Sequence, residues 1–131
     1  MKYDLLIDKR QIFVFAQIKG VDEIKRIKFL LDTGASRTVI DEDLANTLGY
    51  DLDTLEMGGR MVTANGSIYS KILKLPKFSL FGKDLFDFDV NVIKFPLQIT
   101  FHVDGVLGID FLLLFKNIKL DFVEKTVEVC I

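Results

Sequence analysis

Residues 30–36 read Leu-Leu-Asp-Thr-Gly-Ala-Ser, and their types are those of a catalytic turn. An apolar run ends at a carboxylate, Asp32, and Thr33 and Gly34 follow at once. Gly34 has no Cβ and lets neighbouring backbone approach, while Thr33 places a hydroxyl beside the acid. A carboxylate in such a turn can transfer protons in catalysis, but short Asp-x-Gly turns also simply connect strands. The segment alone leaves both interpretations open.

A second segment, residues 103–112, reads Val-Asp-Gly-Val-Leu-Gly-Ile-Asp-Phe-Leu. Val106 and Leu107 precede Gly108, and the apolar stretch that follows is typical of a helix. With the Asp-Thr-Gly turn about seventy residues earlier, this pattern resembles the retropepsin-like aspartic proteases. That family includes viral proteases and single-domain bacterial and cellular relatives. The resemblance extends over residues 10–130.

The resemblance implies a mainly β fold: a single-domain, retropepsin-like closed β-barrel with a flap hairpin and two short helices. It implies that residues 1–131 form one aspartic protease domain and that Asp32 is the catalytic aspartate. In that family the threonine after the aspartate bonds to the partner's matching backbone across the dimer axis. The residues that the resemblance assigns to support of the active site are Thr33, Gly34, Ala35, Ser36, Val106, Leu107 and Gly108.

One copy of the motif predicts a homodimer. The chain has a single Asp-Thr-Gly, and no Asp-Ser-Gly supplies a second acid. Aspartic proteolysis needs two carboxylates that share a proton, one to activate water and one to protonate the substrate carbonyl. At 131 residues the chain is about one domain long, too short for the two-lobed pepsin arrangement. The second aspartate is expected from another copy of the chain, related by a two-fold axis.

Paired carboxylates also predict a pH dependence. Two carboxylates about 3 Å apart cannot both ionise easily, so the pair keeps one proton to a higher pH than separate carboxyls do. The dimer then binds more protons than two monomers above roughly pH 4, and association weakens as the pH rises. We expect the best activity at mildly acid pH and poor activity near pH 8.

Residues 57–69 contain the strongest hairpin signal of the chain. Asn65-Gly66 lies between two strand-like arms and favours a type I′ turn, and Gly58-Gly59 at the base is suited to a hinge. The residues alone are also compatible with an ordinary surface hairpin. The family resemblance favours a flap that closes over substrate. The residues assigned to its substrate-binding tip are Thr63, Ala64, Asn65 and Gly66.

Alternating apolar and polar residues dominate the chain and predict strands, while capping residues mark two short helices. The predicted strands are 11–18, 24–31, 60–64, 67–75, 85–93, 97–103, 118–122 and 126–130. The predicted helices are 41–49, with Asp41 as its N-cap, and 109–115, of about two turns. Neither an internal repeat nor a low-complexity linker is present. The pattern predicts one mainly β domain.

Charge and hydropathy argue against several function classes. Lys and Arg number 17 against 19 Asp and Glu, a net charge of −2 without a basic block, so nucleic-acid binding is not expected. No stretch approaches the roughly 18–20 apolar residues of a membrane span, and the N-terminal apolar run is too short for a signal peptide. We expect a cytoplasmic protein without membrane contact. Its expected partners are a second copy and a peptide or protein substrate, and no metal or organic cofactor is expected.

Other chemistry-bearing residues receive structural interpretations. Cys130 is the single cysteine, so it cannot form an internal disulfide, and core or interface packing is favoured over an intermolecular disulfide. His102 is the single histidine and has no Cys or His partner at metal-ligand spacing. Without a Gly-x-Ser-x-Gly elbow, a serine triad through His102 has little support, and a structural role is favoured. Asp104 is interpreted as a turn residue.

Two positions depart from the viral members of the family. Ser36 and Arg37 stand where many viral relatives carry acidic residues, and Asp110 stands where those relatives carry an arginine. One interpretation is a reversed ion pair between Arg37 and Asp110. The other, slightly favoured, is that Asp110 caps the helix that starts there. In either case, viral substrate preferences should not be transferred to this chain.

Two functions from different classes follow. The favoured one is an aspartic endopeptidase whose dyad contains one Asp32 from each subunit of a homodimer. The alternative is a catalytically silent or latent peptide-binding or dimerisation module with the same fold. The intact Asp-Thr-Gly favours the enzyme, because a silent module has no need of the acid.

Overall fold

In the computed structural model, residues 1–63, 66–96 and 103–131 are described. Within these ranges the chain is mainly strand, with two short α-helices and one turn of 3-10 helix at Leu52–Thr54. The strands are β1 (Lys2–Asp4), β2 (Leu6–Asp8), β3 (Gln11–Lys19), β4 (Ile24–Leu31), β5 (Val39–Asp41), β6 (Glu56–Thr63), β7 (Gly66–Leu80), β8 (Lys83–Ile93), β9 (Gly105–Leu107), β10 (Asn117–Asp121) and β11 (Thr126–Cys130). The helices are α1 (Glu42–Thr47) and α2 (Ile109–Leu112).

Eight of these strands form one sheet, in the order β2-β3-β4-β9-β5-β8-β7-β6. The sheet closes into a ring because β7 pairs with β3 as well as with β8. The closing contact places Gln17 opposite Ser79 and Ile18 opposite Phe78. Two parallel pairings, β4 with β9 and β5 with β8, stand among antiparallel neighbours. The predicted mainly β fold is therefore confirmed, and its closure leaves few free strand edges.

The ring has an apolar interior because its strands alternate as their sequences predict. In β3 the side chains of Val14, Ala16 and Ile18 are buried, while Gln17 is exposed. Successive side chains of a strand point to opposite faces, so the apolar set lies on one side. Phe29 of the neighbouring β4 is also fully buried and packs in the same cluster. Burial of this shared face holds β3 and β4 together.

Phenylalanine rings fill the centre of the larger core cluster. The ring centroid of Phe78 lies 5.6 Å from that of Phe29, 5.1 Å from that of Phe88 and 5.4 Å from that of Phe111. The rings meet tilted or edge-on, the arrangement that aromatic pairs prefer. β4, β7, β8 and α2 contribute one ring each. The cluster therefore fixes α2 against the closed sheet.

Both ends of the described chain meet in a separate three-stranded sheet, in the order β1-β11-β10. Val127 of β11 is fully buried and joins the larger core cluster, and Leu120 and Val129 pack against it. The Leu5 amide donates to the Lys125 carbonyl at 2.9 Å, just beyond β1. The terminal sheet thus shares its apolar face with the ring.

Most predicted strands are confirmed with shifted ends. β3, β4, β8, β10 and β11 lie within two residues of their predicted ranges. β7 continues five residues beyond its predicted end and passes through Pro76, which has no amide to donate. Opposite this interruption Asp87 of β8 adopts φ +56°. Alternation does not reveal β1, β2 or β5, because three residues are too few to show a two-residue period. The predicted strand 97–103 lies outside the described residues apart from Val103.

Both helices are shorter than predicted. α1 has six residues and α2 has four, about one turn instead of two. Asp41 is the N-cap of α1 by position, but its side chain makes no capping bond. Asp41 Oδ1 instead accepts the Phe95 amide at 2.8 Å in a buried contact, so Asp41 is the N-cap residue, as predicted, but does not cap the helix with its side chain. Among the described residues, no helix is long and apolar enough to cross a membrane.

Cys130 lies near the end of β11 with an exposed side chain. The alternation of β11 buries Val127 and leaves Glu128 and Cys130 outside. The prediction that Cys130 packs in the core is therefore wrong for the single chain. Packing in an interface and an intermolecular disulfide both stay predictions.

Two carboxylates lie close together beside the end of β5. Asp41 is buried, and its amide donates to the Asp104 carbonyl at 3.0 Å. The Asp104 amide donates to the Lys28 carbonyl at 3.2 Å, in the bend before β9 where a turn residue is predicted. Desolvation raises the pKa of Asp104, the nearby charge of Asp41 raises it further, and Lys28 lowers it. Asp104 is thus a carboxyl that the fold disfavours in its ionised form.

We predict that Asp104→Asn stabilises the fold at neutral pH and has little effect at acid pH. Because folding raises the pKa of Asp104 above 3.8, its contribution to stability is greatest below that value and is lost as the pH rises through the folded pKa. Asparagine removes this loss, so the free energy of unfolding should rise at pH 7, by less than about 1 kcal/mol because solvent screens the charge. Urea unfolding at acid and neutral pH measures the difference. Asp22→Asn, in the exposed turn after β3, is the matched control, and an equal change at both pH values would contradict the prediction.

Candidate active site

Asp32 follows β4 directly, in a tight turn closed by backbone hydrogen bonds. Its amide donates to the Leu107 carbonyl at 3.1 Å, which extends the pairing of β4 with β9 by one residue. The Ala35 amide donates to the Asp32 carbonyl at 3.2 Å. The Gly34 amide donates to Asp32 Oδ1 at 2.9 Å, so one carboxylate oxygen is fixed in direction. A Cβ on Gly34 would meet that same oxygen at 3.2 Å, so crowding there is mild.

Gly108 brings the second motif against this turn from behind. The Ile109 amide, one residue further on, donates to the Ala35 carbonyl at 2.7 Å. A Cβ on Gly108 would lie 2.5 Å from the carbonyl carbon of Arg37 and 2.9 Å from the Ala35 oxygen. Both atoms belong to backbone and cannot move aside as the end of a flexible side chain can. Glycine at this position is therefore required for the two motifs to touch.

Thr38 joins the two motifs through its hydroxyl, which lies in a fully buried side chain. Thr38 Oγ1 accepts the Gly108 amide at 3.1 Å and donates to Asp110 Oδ1 at 2.8 Å. The Thr38 amide donates to Asp110 Oδ2 at 3.0 Å. Sequence reasoning missed Thr38, because its partners lie about seventy residues away and no local pattern marks them. The available signal was a hydroxyl at the head of the apolar pair that begins β5.

Asp110 has a broader role than either interpretation predicts. The N-cap of α2 is Gly108, so the prediction of Asp110 as the cap residue is wrong, although Asp110 Oδ1 accepts the Phe111 amide of the first turn at 2.9 Å. Arg37 Nε lies 4.0 Å from Asp110 Oδ2, so the reversed ion pair is present but long. The shorter contacts of Asp110 are those with Thr38. Asp110 therefore holds Thr38 by two hydrogen bonds, whereas its contact with Arg37 is a long ion pair.

The hairpin of β6 and β7 forms the other side of the site. Its arms pair from Glu56 opposite Ile72 to Thr63 opposite Gly66, so the predicted hairpin is present but β6 begins four residues before its predicted start at residue 60. The predicted tip residues Ala64 and Asn65 lie outside the described residues. Near its base the register shifts between Met57 and Gly59, which is a β-bulge. Gly59 adopts φ +85°, a conformation that glycine reaches without strain, so the predicted hinge position is a bulge inside β6.

A buried polar relay connects this hairpin to β8. Asn91 Nδ2 donates to Ser70 Oγ at 2.8 Å, and Ser70 Oγ donates to the Gly59 carbonyl at 3.2 Å. Asn91 is 4% exposed, and its Oδ1 has no hydrogen-bond partner in the described part of the chain. A Cβ on Gly58 would lie 2.7 Å from Ser70 Oγ, so the bulge and the relay pack together only with glycine. Sequence reasoning missed Asn91, although an amide inside the apolar end of β8 was an available signal.

The turn and the hairpin enclose an open cleft of about 590 Å³. Its volume lies within the roughly 300–1,000 Å³ that is usual for ligand sites. The described residues that line it are Asp32, Gly34, Ala35, Ser36, Arg37, Val39, Gly58, Arg60, Met61, Val62 and Asn91. The cleft therefore combines one carboxylate on its floor with a wall of β-strand, which is suited to an extended chain.

The site residues predicted outside the hairpin either line the cleft, lie behind the turn or, in the case of Thr33, face solvent. Those that line the cleft are Asp32, Gly34, Ala35 and Ser36. Those that lie behind the turn, in β9 and at the start of α2, are Val106, Leu107 and Gly108. Thr33 is exposed and makes no hydrogen bond within the described ranges, and His102 lies outside them. Within the same ranges, no group of three or more His, Cys, Asp or Glu residues could hold a metal ion.

The sequence matches one protein family, described as aspartyl protease, over residues 14–111. That range contains the Asp-Thr-Gly turn, the hairpin and the Val-Leu-Gly segment with its helix. No curated protein sequence matches the chain.

Solved structures similar to this chain include two proteases and a protease-like domain. A retropepsin-like aspartic protease from Rickettsia conorii has 23% identity and a TM-score of 0.73, over 98% of this chain and 89% of that one. The retroviral protease-like domain of Ddi1 from Leishmania major has 18% identity and a TM-score of 0.58, over 97% and 89%. The EIAV protease in complex with the inhibitor HBY-793 has 20% identity and a TM-score of 0.59, over 80% and 88%. The predicted retropepsin-like fold is confirmed by these likenesses.

We predict that Thr38→Val destabilises the fold by about 1–3 kcal/mol, because a side chain of the same shape leaves the buried Gly108 amide without its acceptor. Urea unfolding measures the loss. Thr47→Val is the matched control, since its hydroxyl donates only to the Asp43 carbonyl on the exposed side of α1. We expect the control to change stability by less than about 0.5 kcal/mol. Equal losses in the two variants would contradict the anchoring role of Thr38.

Proposed function

The chain belongs to the aspartyl protease family, and on that premise we propose that it is an endopeptidase acting as a homodimer, with one Asp32 from each subunit. The observation that carries the proposal is the Asp32 carboxylate on the floor of the open cleft, with one oxygen fixed by the Gly34 amide. Asp32 is only half-buried and faces the space that a substrate would occupy.

The number of acids in the cleft supports the proposed homodimer. Peptide hydrolysis by this chemistry requires a carboxylate as base and a carboxylic acid as proton donor. Asp32 is the one acidic residue among the described residues that line the cleft. The chain also contains a single Asp-Thr-Gly. A two-fold axis beside Asp32 supplies the second acid in an identical environment.

In the proposed reaction the two Asp32 side chains share one proton and hold a water molecule. The ionised carboxylate takes a proton from the water as the water oxygen attacks the scissile carbonyl carbon. The protonated carboxyl gives its proton to the carbonyl oxygen, which forms a neutral tetrahedral diol. As the diol collapses and the C–N bond breaks, one diol hydroxyl returns its proton to the ionised carboxylate, and the protonated carboxyl gives its proton to the departing nitrogen. The Gly34 amide keeps one carboxylate oxygen in place through these transfers.

Thr33 is proposed to hold the two catalytic turns together. Its side chain lies beside Asp32 and is exposed in the single chain, with no hydrogen bond to the described residues. A hydroxyl in that position is available to the partner subunit's backbone across the axis. The neighbouring supports, Ala35 and Gly108, already fix the turn within its own chain.

The hairpin is proposed to act as a flap over an extended peptide. Its strand β6 contributes Gly58, Arg60, Met61 and Val62 to the cleft wall, and β7 pairs with β6 behind them. A strand-like wall can bind a peptide by main-chain hydrogen bonds, and closure of a lid excludes water from the reaction. The bulge at Gly59 is the point where the flap could bend, since it interrupts the regular pairing.

We predict that Asp32→Asn abolishes cleavage of an unfolded, mixed-sequence protein substrate, with a loss of at least about a thousandfold in rate. Asparagine keeps the shape and the bond from Gly34 but cannot share a proton. Wild-type cleavage, followed by mass spectrometry from pH 3.5 to 8, should be best at mildly acid pH and poor near pH 8, because the dyad must retain one proton. Equal activity of the two proteins, or a rate that rises steadily through pH 8, would place the chemistry elsewhere. Absence of cleavage by both would favour the silent binding module.

We predict that the inactive variant suppresses the wild type when the two are refolded together. If each site needs Asp32 from both subunits, an equal mixture distributes wild-type chains between active homodimers and inactive mixed dimers, and about half of the wild-type activity remains. Refolding with an equal amount of an unrelated protein is the control. Undiminished activity in the mixture would mean that one chain holds a complete site.

A further inference from the structure

The cleft carries positive charge in a chain that is acidic overall. Arg37 and Arg60 both line it, whereas the net charge of the chain is −2. Within the described part of the cleft wall, Asp32 is the single acid. Guanidinium groups bind carboxylates through two parallel N–H donors, with a geometry that lysine does not offer. The charged side chains around Asp32 in the described cleft are therefore of the sign and type that bind carboxylates.

Arg60 is free to bind a carboxylate. It lies in β6 opposite Tyr69, is exposed, and its Nε donates to Ser67 Oγ at 2.9 Å. No carboxylate lies within ion-pair distance of Arg60 in the ranges that the structure describes. The serine contact orients the side chain but does not neutralise it. Four of the five guanidinium donors stay available.

Arg37 forms only a long ion pair with its acidic neighbour. Its one acidic neighbour, Asp110, lies 4.0 Å from Nε and already accepts three hydrogen bonds, from the amide and hydroxyl of Thr38 and the amide of Phe111. The side chain of Arg37 is 44% exposed, and a long exposed ion pair contributes little free energy. A substrate carboxylate can therefore use Arg37 without disrupting an essential contact.

In the proposed dimer the positive charge doubles while the negative charge does not. Two subunits bring four arginines to one cleft, whereas the pair of Asp32 side chains shares a proton and carries a single negative charge. Such a cleft attracts anionic chains and repels cationic ones. The apolar neighbours Val39 and Met61 leave room for uncharged side chains between the arginines.

We propose that the cleft selects peptides with Asp or Glu side chains on either side of the scissile bond, and that Arg60, with Arg37, is the specificity-determining residue. This inference rests on the proposed endopeptidase function. The carboxylates would be bound by the guanidinium groups, while the residues at the cleaved bond lie over Asp32. Arg60 faces substrate and does not take part in proton transfer.

The test compares three pools of fluorescein-labelled octapeptides. Their two central residues are mixtures of Phe, Leu and Met, and their flanking residues are all Glu, all Gln or all Lys. At low salt the wild type should cleave the Glu pool faster than the Gln pool, by about threefold to fivefold for each arginine that binds a Glu side chain. The Lys pool should be cleaved slowest. High salt should remove the preference, because it screens the charges. The difference should appear in KM more than in kcat.

Substitutions assign the preference to Arg60. Arg60→Gln should lower the Glu-to-Gln ratio by about threefold or more, and Arg60→Lys should restore part of it through charge alone. Arg10→Gln, in the exposed turn between β2 and β3, removes the same charge outside the cleft and should leave the ratio unchanged. Equal cleavage of the three pools by the wild type, or the same ratio in Arg60→Gln, would overturn the inference while the endopeptidase function stands.

Binding separates failure of the inference from failure of the proposed function. Absence of wild-type cleavage of all pools would count against the endopeptidase, but fluorescence anisotropy with Asp32→Asn still measures the affinity of each pool. Tighter binding of the Glu pool than of the Gln and Lys pools, weakened by Arg60→Gln, supports the charge selection. Equal affinities of the three pools overturn it.

Discussion

The backbone contact between Gly108 and the segment from Ala35 to Arg37 is the constraint on which the site depends. Any side chain at residue 108 would enter the space of that backbone, so the two motifs touch only through glycine. Around this contact the Ile109 amide and the Thr38 hydroxyl form hydrogen bonds. Without these bonds, polar backbone groups at the contact would be left unpaired. The orientation of the Asp32 carboxylate thus depends on these buried contacts behind the turn, in addition to its own bond from the Gly34 amide.

A second feature connects the cleft to the stability of the whole sheet. Strand β7 pairs with β6 in the hairpin at one end and with β3 at the other, where Phe78 enters the aromatic core. The strand that closes the ring, β7, is therefore also the pairing partner of β6, the strand that lines the cleft. Because β7 is held along its length by pairing and packing, a bend at the Gly59 bulge of β6 can stay local to the hairpin.

The sequence predicts those parts of the fold that depend on neighbouring residues in the chain. Alternation locates β3 and β4, and the Asp-Thr-Gly and Val-Leu-Gly strings locate the turn and its support. Sequence reasoning fails where a residue's role depends on a hydrogen-bond partner that is distant in the chain. Asp41 has the right type and place for a cap, yet a buried amide at Phe95 takes its carboxylate. Thr38 and Asn91 are ordinary polar residues until folding brings Gly108 and Ser70 to them.

The long separation between the acid and its supports has a consequence for synthesis of the chain. Asp32 is translated about seventy-five residues before Leu107, Gly108 and Ile109, and contacts at such separation form only after loop closure. A nascent chain would carry its aspartate in an unorganised loop until nearly the whole domain has left the ribosome. The proposed dimer would then still require a second folded copy. With this order of assembly, the proposed endopeptidase would be inactive while its own chain is unfolded and most easily cut.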